Sequence, residues 1–410
     1  MQRFIGLFLA FSVLLASCGG AAVTYDASQP ITSFNQLREQ LAKTDDQAAQ
    51  LKLINDFNAM FPASPLTQGD QALFMVEKDA PRMELSSDLT NWFQTIPMQR
   101  LGTTNWWGVV QTISPTARID YRFGVGGGGG LINDPRNSTV VPSSMGLNSE
   151  LRMPEYVTPT EIISRSDVPK GTVESLGNYY TEISKTTHQL HVYLPANYDP
   201  AKQYPSVYFQ DGDDYQNYAF TPTILDNAIA DEILPPLIAV FVKPSREQGR
   251  QRDYDLNDAY SEFFATELVP MIDSKYSTIN DPKQRVVVGD SYGGLISLYL
   301  ALQYPEVFGA VVNQSGFVSR QNGRLLTLMS IQPPVNARIV TVVGTYETCI
   351  GGPVTGDECN FLEGNRTLRD ILVGAGVELN YAEYPQGHAW AFWRDHIDRE
   401  VAWALDWQKP

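Results

Sequence analysis

The sequence predicts an α/β fold with a doubly wound, mostly parallel sheet, preceded by a small all-β sandwich. Three observations predict it. From about Gly171 onward, apolar strand-like runs such as "QLHVYLP", "YPSVYFQDG" and "LIAVFVKP" alternate with helical patterns such as "SEFFATELVPMIDSKY". Alternating β and α units argue for a parallel sheet covered on both faces. Between Ala72 and Val125, the short runs "ALFMVE", "RMELSSDL", "WWGVVQTI" and "RIDYRFGV" are separated by turn residues, the spacing of an antiparallel sandwich. Residues 286–299, "VVVGDSYGGLISLY", read as a buried strand, a tight turn and a buried helix.

"MQRFIGLFLAFSVLLASCGG" has a positive start at Arg3 and an apolar run from Phe4 to Leu15, too short for a comfortable membrane span and of signal-peptide form. The run ends in "LASC", which resembles a bacterial lipobox and implies cleavage before Cys18 and lipidation of its thiol. An ordinary secretory signal with a coincidental cysteine is the alternative. Residues 1–18 are therefore read as a lipoprotein signal peptide, and the protein as exported and membrane-anchored, facing the periplasm or the cell exterior. Residues 19–65 form a linker and a helical segment, because Phe34, Leu37 and Leu41, and then Leu51, Ile54 and Phe57, recur at helix spacing. The sandwich is assigned to 66–150, with "GVGGGGG" at 124–130 as a hairpin tip or an unstructured excursion. "NDPRN" and "PSSMGLNSELRMPEY" are read as irregular, and 151–178 as a connector. The remaining stretch, 179–410, is the catalytic α/β domain.

Composition narrows the function. The 410 residues carry a formal net charge of −16, which argues against a nucleic-acid partner. Cysteines occur at positions 18, 349 and 359. With Cys18 as the anchor, Cys349 and Cys359 make an even pair, and disulfides persist in exported proteins. Two free buried thiols are the alternative. No zinc-type cysteine spacing is present, and no metal or cofactor is expected. "DGDD" at 211–214 is a plain turn rather than a calcium loop, since the remaining ligands of such a loop are missing.

The chemistry starts at Ser291. Gly289-Asp290-Ser291-Tyr292-Gly293 between strand and helix is a G-x-S-x-G nucleophile elbow of the α/β-hydrolase type; a bland glycine-rich turn is the other reading. A serine hydroxyl needs a base within reach. The four histidines are His188, His191, His388 and His396. His188 and His191 precede the serine, whereas the order in this fold is serine, acid, histidine on a late loop. His388, in "YPQGHAWAFW" after the last strand pattern, fits that order. His396 reads as a surface or packing residue. The acid belongs at a strand end between Ser291 and His388, where "RIVTVVGTYE" ends in Glu347. Asp357, Glu358 and Glu363 remain competitors. Oxyanion donors are expected from the amide of Tyr292 and, after "VYFQDG", from that of Asp213. Trp92, Trp106, Trp107 and Tyr121 are read chiefly as packing aromatics, with a sugar-binding platform as the alternative.

Two sets of segments carry a family resemblance. "SSDLTNWFQTIPMQRL", "WWGVVQTISPTARIDYRFGV" and "INDPRN" resemble the N-terminal domain of enterochelin esterases, an early-set, immunoglobulin-like sandwich. "YPSVYFQDGDDY", "RDYDLNDAYSEFFATELVPMIDSKY", "VVVGDSYGGLISLYLALQYPEVFGAVVNQSG" and "GTYE…YPQGHAWAFWR" occur in that order. They are similar to the esterase family that includes enterochelin esterases, esterase D-like enzymes, bacterial feruloyl esterases and mycolyltransferases. The resemblance implies a serine carboxylesterase with Ser291 as nucleophile, Glu347 as acid and His388 as base. It also implies oxyanion amides at Tyr292 and Asp213, and substrate-lining positions at Arg252, Asp253, Trp390 and Trp393. The substrate it implies is a siderophore ester, or a feruloyl or acetyl ester on polysaccharide.

Overall fold

The structure is a computed structural model and describes residues 23–349 and 359–408. Cys18 and the rest of the apolar N-terminal run lie outside the described residues, as do Asp357 and Glu358. Two helices come first, Pro30–Leu41 and Gln47–Met60, each burying the apolar stripe that its spacing predicts. Asp46 caps the second, accepting from the Ala48 amide at 3.0 Å. Both helices pack against one face of the sandwich through Phe34, Leu37, Ile54 and Phe57, which meet Leu73, Met75 and Trp106. Buried Gln50 joins the pieces. Its amide donates to the Thr44 carbonyl at 2.7 Å, and its oxygen accepts from the Thr103 amide at 2.8 Å.

The sandwich has a four-stranded sheet and a six-stranded sheet, all antiparallel. Phe74, Val76, Trp107, Tyr121 and Phe123 fill the space between them. Trp106 and Trp107 are neighbours on strand Trp106–Thr112 and so face opposite ways, one toward the helices and one toward the inter-sheet core. Trp106, Trp107 and Tyr121 are buried packing residues; no sugar platform is built from them. The glycine run joins strand Arg118–Val125 to strand Gly130–Ile132 as a hairpin.

One expectation needs correcting. The stretch 142–156, read as irregular, is strand over much of its length: Val140–Ser143 and Gly146–Arg152 belong to the larger sheet. Their buried residues include Asn148, Ser149 and Glu150, on both faces of the strand, so no hydrophobic alternation marks it. Burial is offset by pairing instead: the Arg118 guanidinium donates to Glu150 at 2.7 Å and also pairs with Asp120, whose other oxygen accepts from Asn148 at 2.9 Å.

The sheet of the α/β domain has eight strands. Its first strand, Thr172–Thr181, begins inside the stretch read as a connector and pairs antiparallel with Thr186–Leu194, which pairs antiparallel with Ile238–Val242. The strands from Ser206–Phe209 to Glu378–Tyr384 are parallel to their neighbours. Helices cover both faces. Val286 and Val288 point into one layer with Phe209, and Val287 into the other with Tyr208, so the "VVV" run is buried on both sides. The stretch "SEFFATELVPMIDSKY" departs from a regular helix at Phe264–Leu268, which makes a π turn before Val269–Lys275. Pro270 in that next turn has no N–H to continue the α ladder. Cys349 and Cys359 are joined by a disulfide.

The sandwich docks on the rim of this sheet. The Tyr156 hydroxyl meets Asp395, the Ser114 amide donates to Tyr346 at 3.3 Å, and Asn91 donates to Thr348 at 3.4 Å. Gly387 presses so closely on Asp88 that a Cβ there would lie 2.4 Å from the Asp88 Cβ.

Candidate active site

Strand Arg285–Asp290 runs directly into helix Tyr292–Gln303, and Ser291 stands at the junction with φ 53° and ψ −115°. A residue with a Cβ holds that left-handed backbone only under constraint from its surroundings. Here the Ser291 amide donates to the Gln314 carbonyl at 2.9 Å, and its carbonyl accepts from the Phe317 amide at 2.9 Å. The motif's first glycine provides clearance: a Cβ on Gly289 would lie 2.2 Å from the Gly293 carbonyl oxygen.

Glu347 sits just past strand Arg338–Gly344, fully buried. One carboxylate oxygen accepts from the Gly344 amide at 2.9 Å and from the Ser315 hydroxyl at 2.6 Å. The other accepts from His388 Nδ1 at 2.9 Å. A carboxylate only accepts, so Nδ1 carries the proton and Nε2 keeps its lone pair. The His388 ring is wedged edge-on between Phe361 and Trp393, each at 4.9 Å. The competing Glu363 is turned away and pairs with Arg366 at 2.5 Å.

Ser291 and His388 line one cavity of about 300 Å³, and Trp390 and Trp393 line it with them. Tyr292 is the first residue of its helix, and Asp213 lies in the first turn of Gly212–Asn217, so both amides belong to helix starts without intrahelical acceptors. The Asp213 carboxylate points elsewhere and pairs with Lys243. Asp214 lines the cavity, its carboxyl pushed up to about 6 by burial first and by nearby Asp211 second.

Arg252 and Asp253 do not line the cavity. Asp253 is buried, holding the Ser245 amide at 2.5 Å and hydroxyl at 2.9 Å, and Arg252 is exposed. Both belong to helix Gly249–Tyr254, whose turn instead presents Arg250 to the cavity. Arg250 donates to Asp211 at 2.8 Å and to the Asp290 carboxylate at 3.1 Å. Burial pushes the Asp290 carboxyl well up, and the Arg250 charge opposes that. Of the other histidines, His191 is half-buried beside Gln216 at 3.0 Å, and His188 and His396 are core residues. His188 stacks on Phe263 at 4.8 Å, and burial lowers its pKa. His396 stacks on Tyr384 at 4.0 Å, and burial lowers it to about 4.

Two contributions escaped the sequence reading. Ser315 holds Glu347 and accepts from Trp393 Nε1 at 3.0 Å; its place in "NQSG" after a strand was the available signal. The sandwich supplies Trp92, Asp120, Ser143, Met145 and Asn148 to the same cavity. Of these, sequence picks out Trp92 alone, as an aromatic; nothing local marks the other four. Among the described residues, no three His, Cys, Asp or Glu side chains gather where they could hold a metal ion.

Comparison with known proteins bears on this geometry. The Esterase family model, described as "Putative esterase", matches residues 181–404. The chain belongs to this esterase family. Among relatives of the esterase, an uncharacterized protein of Bacillus subtilis, YjcH, is 28% identical over 234 residues, 55% of this chain and 95% of that protein. The iron(III) enterobactin esterase of Dickeya dadantii is 27% identical over 218 residues, 52% of this chain and half, 50%, of that protein. The solved ferric enterobactin esterase of Salmonella typhimurium superposes with a TM-score of 0.71 at 18% identity, over 86% of this chain and 97% of that one. That likeness shows the fold: an α/β-hydrolase sheet preceded by an N-terminal β domain. The esterase is a hydrolase acting on ester bonds.

Proposed function

We propose that this esterase works through an acyl-enzyme on Ser291. The Ser291 hydroxyl attacks the ester carbonyl as His388 Nε2 takes its proton. The amides of Tyr292 and Asp213 hold the oxyanion. His388 returns the proton to the departing alcohol. Water, deprotonated by the same nitrogen, then attacks the acyl group and releases the acid and the free serine. The observation that carries this reading is the Glu347–His388 hydrogen bond beside a left-handed Ser291 on one shared cavity. The family and the enterobactin esterase relatives support a siderophore ester as substrate, and the resemblance to feruloyl esterases supports a feruloyl or acetyl ester on polysaccharide. The reading includes export and anchoring through lipidated Cys18, supported by "LASC" at the end of the apolar run.

A fluorophosphonate probe tests the mechanism: it should label wild type and leave Ser291→Ala unlabelled. Wild type should also hydrolyse at least one of a catecholate trilactone, methyl ferulate and acetylated xylan. A wild type that neither labels nor hydrolyses is an inert binding protein with a hydrolase fold. For the anchor, Cys18→Ala should lose acyl labelling and detergent partitioning; retention of both would remove Cys18 from that role.

A further inference from the structure

A second cavity, about 250 Å³, adjoins the first at His388. The two cavities share His388, Trp92 and Met145; the second is walled by Trp92, Phe93 and Met145 from two loops of the sandwich, by Leu131 on strand Gly130–Ile132, and by Asp88 and Asn91. Phe93 is 61% exposed, Met145 56% and Leu131 43%, an apolar cluster that a soluble surface ordinarily breaks up. The loop carrying Trp92 is built rather than loose. Asn91 and Trp92 are both left-handed, at φ 52° and 65°. Such a backbone on a bulky residue costs about 1–3 kcal/mol and tends to persist where function requires it. Buried Asp88 holds it, accepting from Trp92 Nε1 at 2.9 Å and from the Asp120 amide at 2.7 Å. Asp88 is also the residue on which Gly387 rests, so the loop and the His388 turn are seated on each other.

Reaction geometry says which half of the substrate this cavity faces. The histidine gives its proton to the leaving oxygen, so the alcohol departs past the imidazole while the acyl group stays on the serine. We propose that Trp92, Phe93, Leu131 and Met145 form the leaving-group subsite of this esterase and select alcohols that carry an uncharged aryl or alkyl group, which makes a polysaccharide ester, with its sugar hydroxyl as leaving group, the disfavoured one of the substrate readings above. This rests on the acyl-enzyme reading above. Charge points the same way. Asp120, Asp214 and Asp290 line the neighbouring cavity, and the cation lining it, Arg250, is already paired with Asp211 and Asp290. An anionic alcohol would approach carboxylates without a free counter-charge.

The test is a series of acetate esters with one acyl group and different alcohols: methanol, 2-phenylethanol and the anionic 3-hydroxypropionate. Wild type should show kcat/KM at least about tenfold higher for the 2-phenylethyl ester than for the methyl ester, the range expected for filling an apolar pocket. The anionic ester should be the poorest. Phe93→Ser and Leu131→Ser lie on the exposed rim, outside the cavity that holds Ser291, and should fold normally. Combined, they should bring the 2-phenylethyl to methyl ratio within about threefold of unity and leave the methyl ester unchanged. Equal rates across the alcohols, preference for the anionic ester, or a ratio that survives the double substitution would each overturn the subsite alone. Failure to hydrolyse any acetate, with Ser291 unlabelled by fluorophosphonate, would overturn the acyl-enzyme reading and the subsite together.

Discussion

Glu347 and His388, 41 positions apart in the chain, share a 2.9 Å hydrogen bond between a fully buried carboxylate and Nδ1 of the imidazole. The remaining Glu347 oxygen is pinned by Ser315 and Gly344. The carboxylate therefore has one orientation available, and the ring has one tautomer.

Glu347→Gln should fold and bind substrate, with kcat lower by about 10⁴, because an amide at this point accepts or donates with equal ease and no longer stabilises an imidazolium. Asp357→Asn and Glu358→Gln should be mild. The measurement is kcat on one activated ester, with circular dichroism as the check on folding. Loss of activity in either of the latter two, with Glu347→Gln active, would move the acid to that segment.

Ser315→Ala removes the 2.6 Å hydrogen bond that holds the far oxygen of Glu347. A hydrogen bond to a charged group contributes about 1.5–3 kcal/mol, so kcat should fall roughly 10- to 100-fold. KM should stay put, since Ser315 acts on the carboxylate and not on substrate. Trp393→Phe removes the donor to Ser315 together with part of the ring that packs on His388 and lines the cavity, so KM as well as kcat should move in that variant. An equal rise in KM in Ser315→Ala would show that the pocket itself had shifted.

His396 is buried, and its Nε2 finds no hydrogen-bond partner among the described residues. Its folded pKa is lowered from 6.5 to about 4. Between those values the unfolded chain binds the extra proton, so stability rises with pH across the window and falls as the solution is acidified. The contribution is at most about 3 kcal/mol. His396→Phe keeps the stack on Tyr384 and should flatten this part of the profile. Urea denaturation at pH 4.5 and pH 7 measures it; an unchanged pH slope in the variant would assign the dependence to other groups.

The elbow was legible because strand, turn and helix are contiguous, and clearance at Gly289 is a matter of local backbone. His388 was legible from chain order. Glu347 was one of several candidates at that stage, since which carboxylate reaches the imidazole depends on how two strand ends pack. Arg252 and Asp253 were singled out where Arg250 lines the cavity, because the facing of a one-and-a-half-turn helix is decided by what it packs on.

The strand Gly146–Arg152 shows the same limit for the fold. Three of its buried side chains, Asn148, Ser149 and Glu150, are polar, and Asn148 and Glu150 become core only when Asp120 and Arg118 stand opposite them. The sequence alone determined the alternation of strands and helices, the sandwich before them and the serine at the elbow, all set by hydrophobic period and by turn chemistry within a few residues. Tertiary structure alone decided that the sandwich would wall the active site. Trp92, Asp120 and Met145 come within reach of Ser291 only through docking of two bodies, and that docking is governed by shape and desolvation across distant surfaces, which no local pattern encodes.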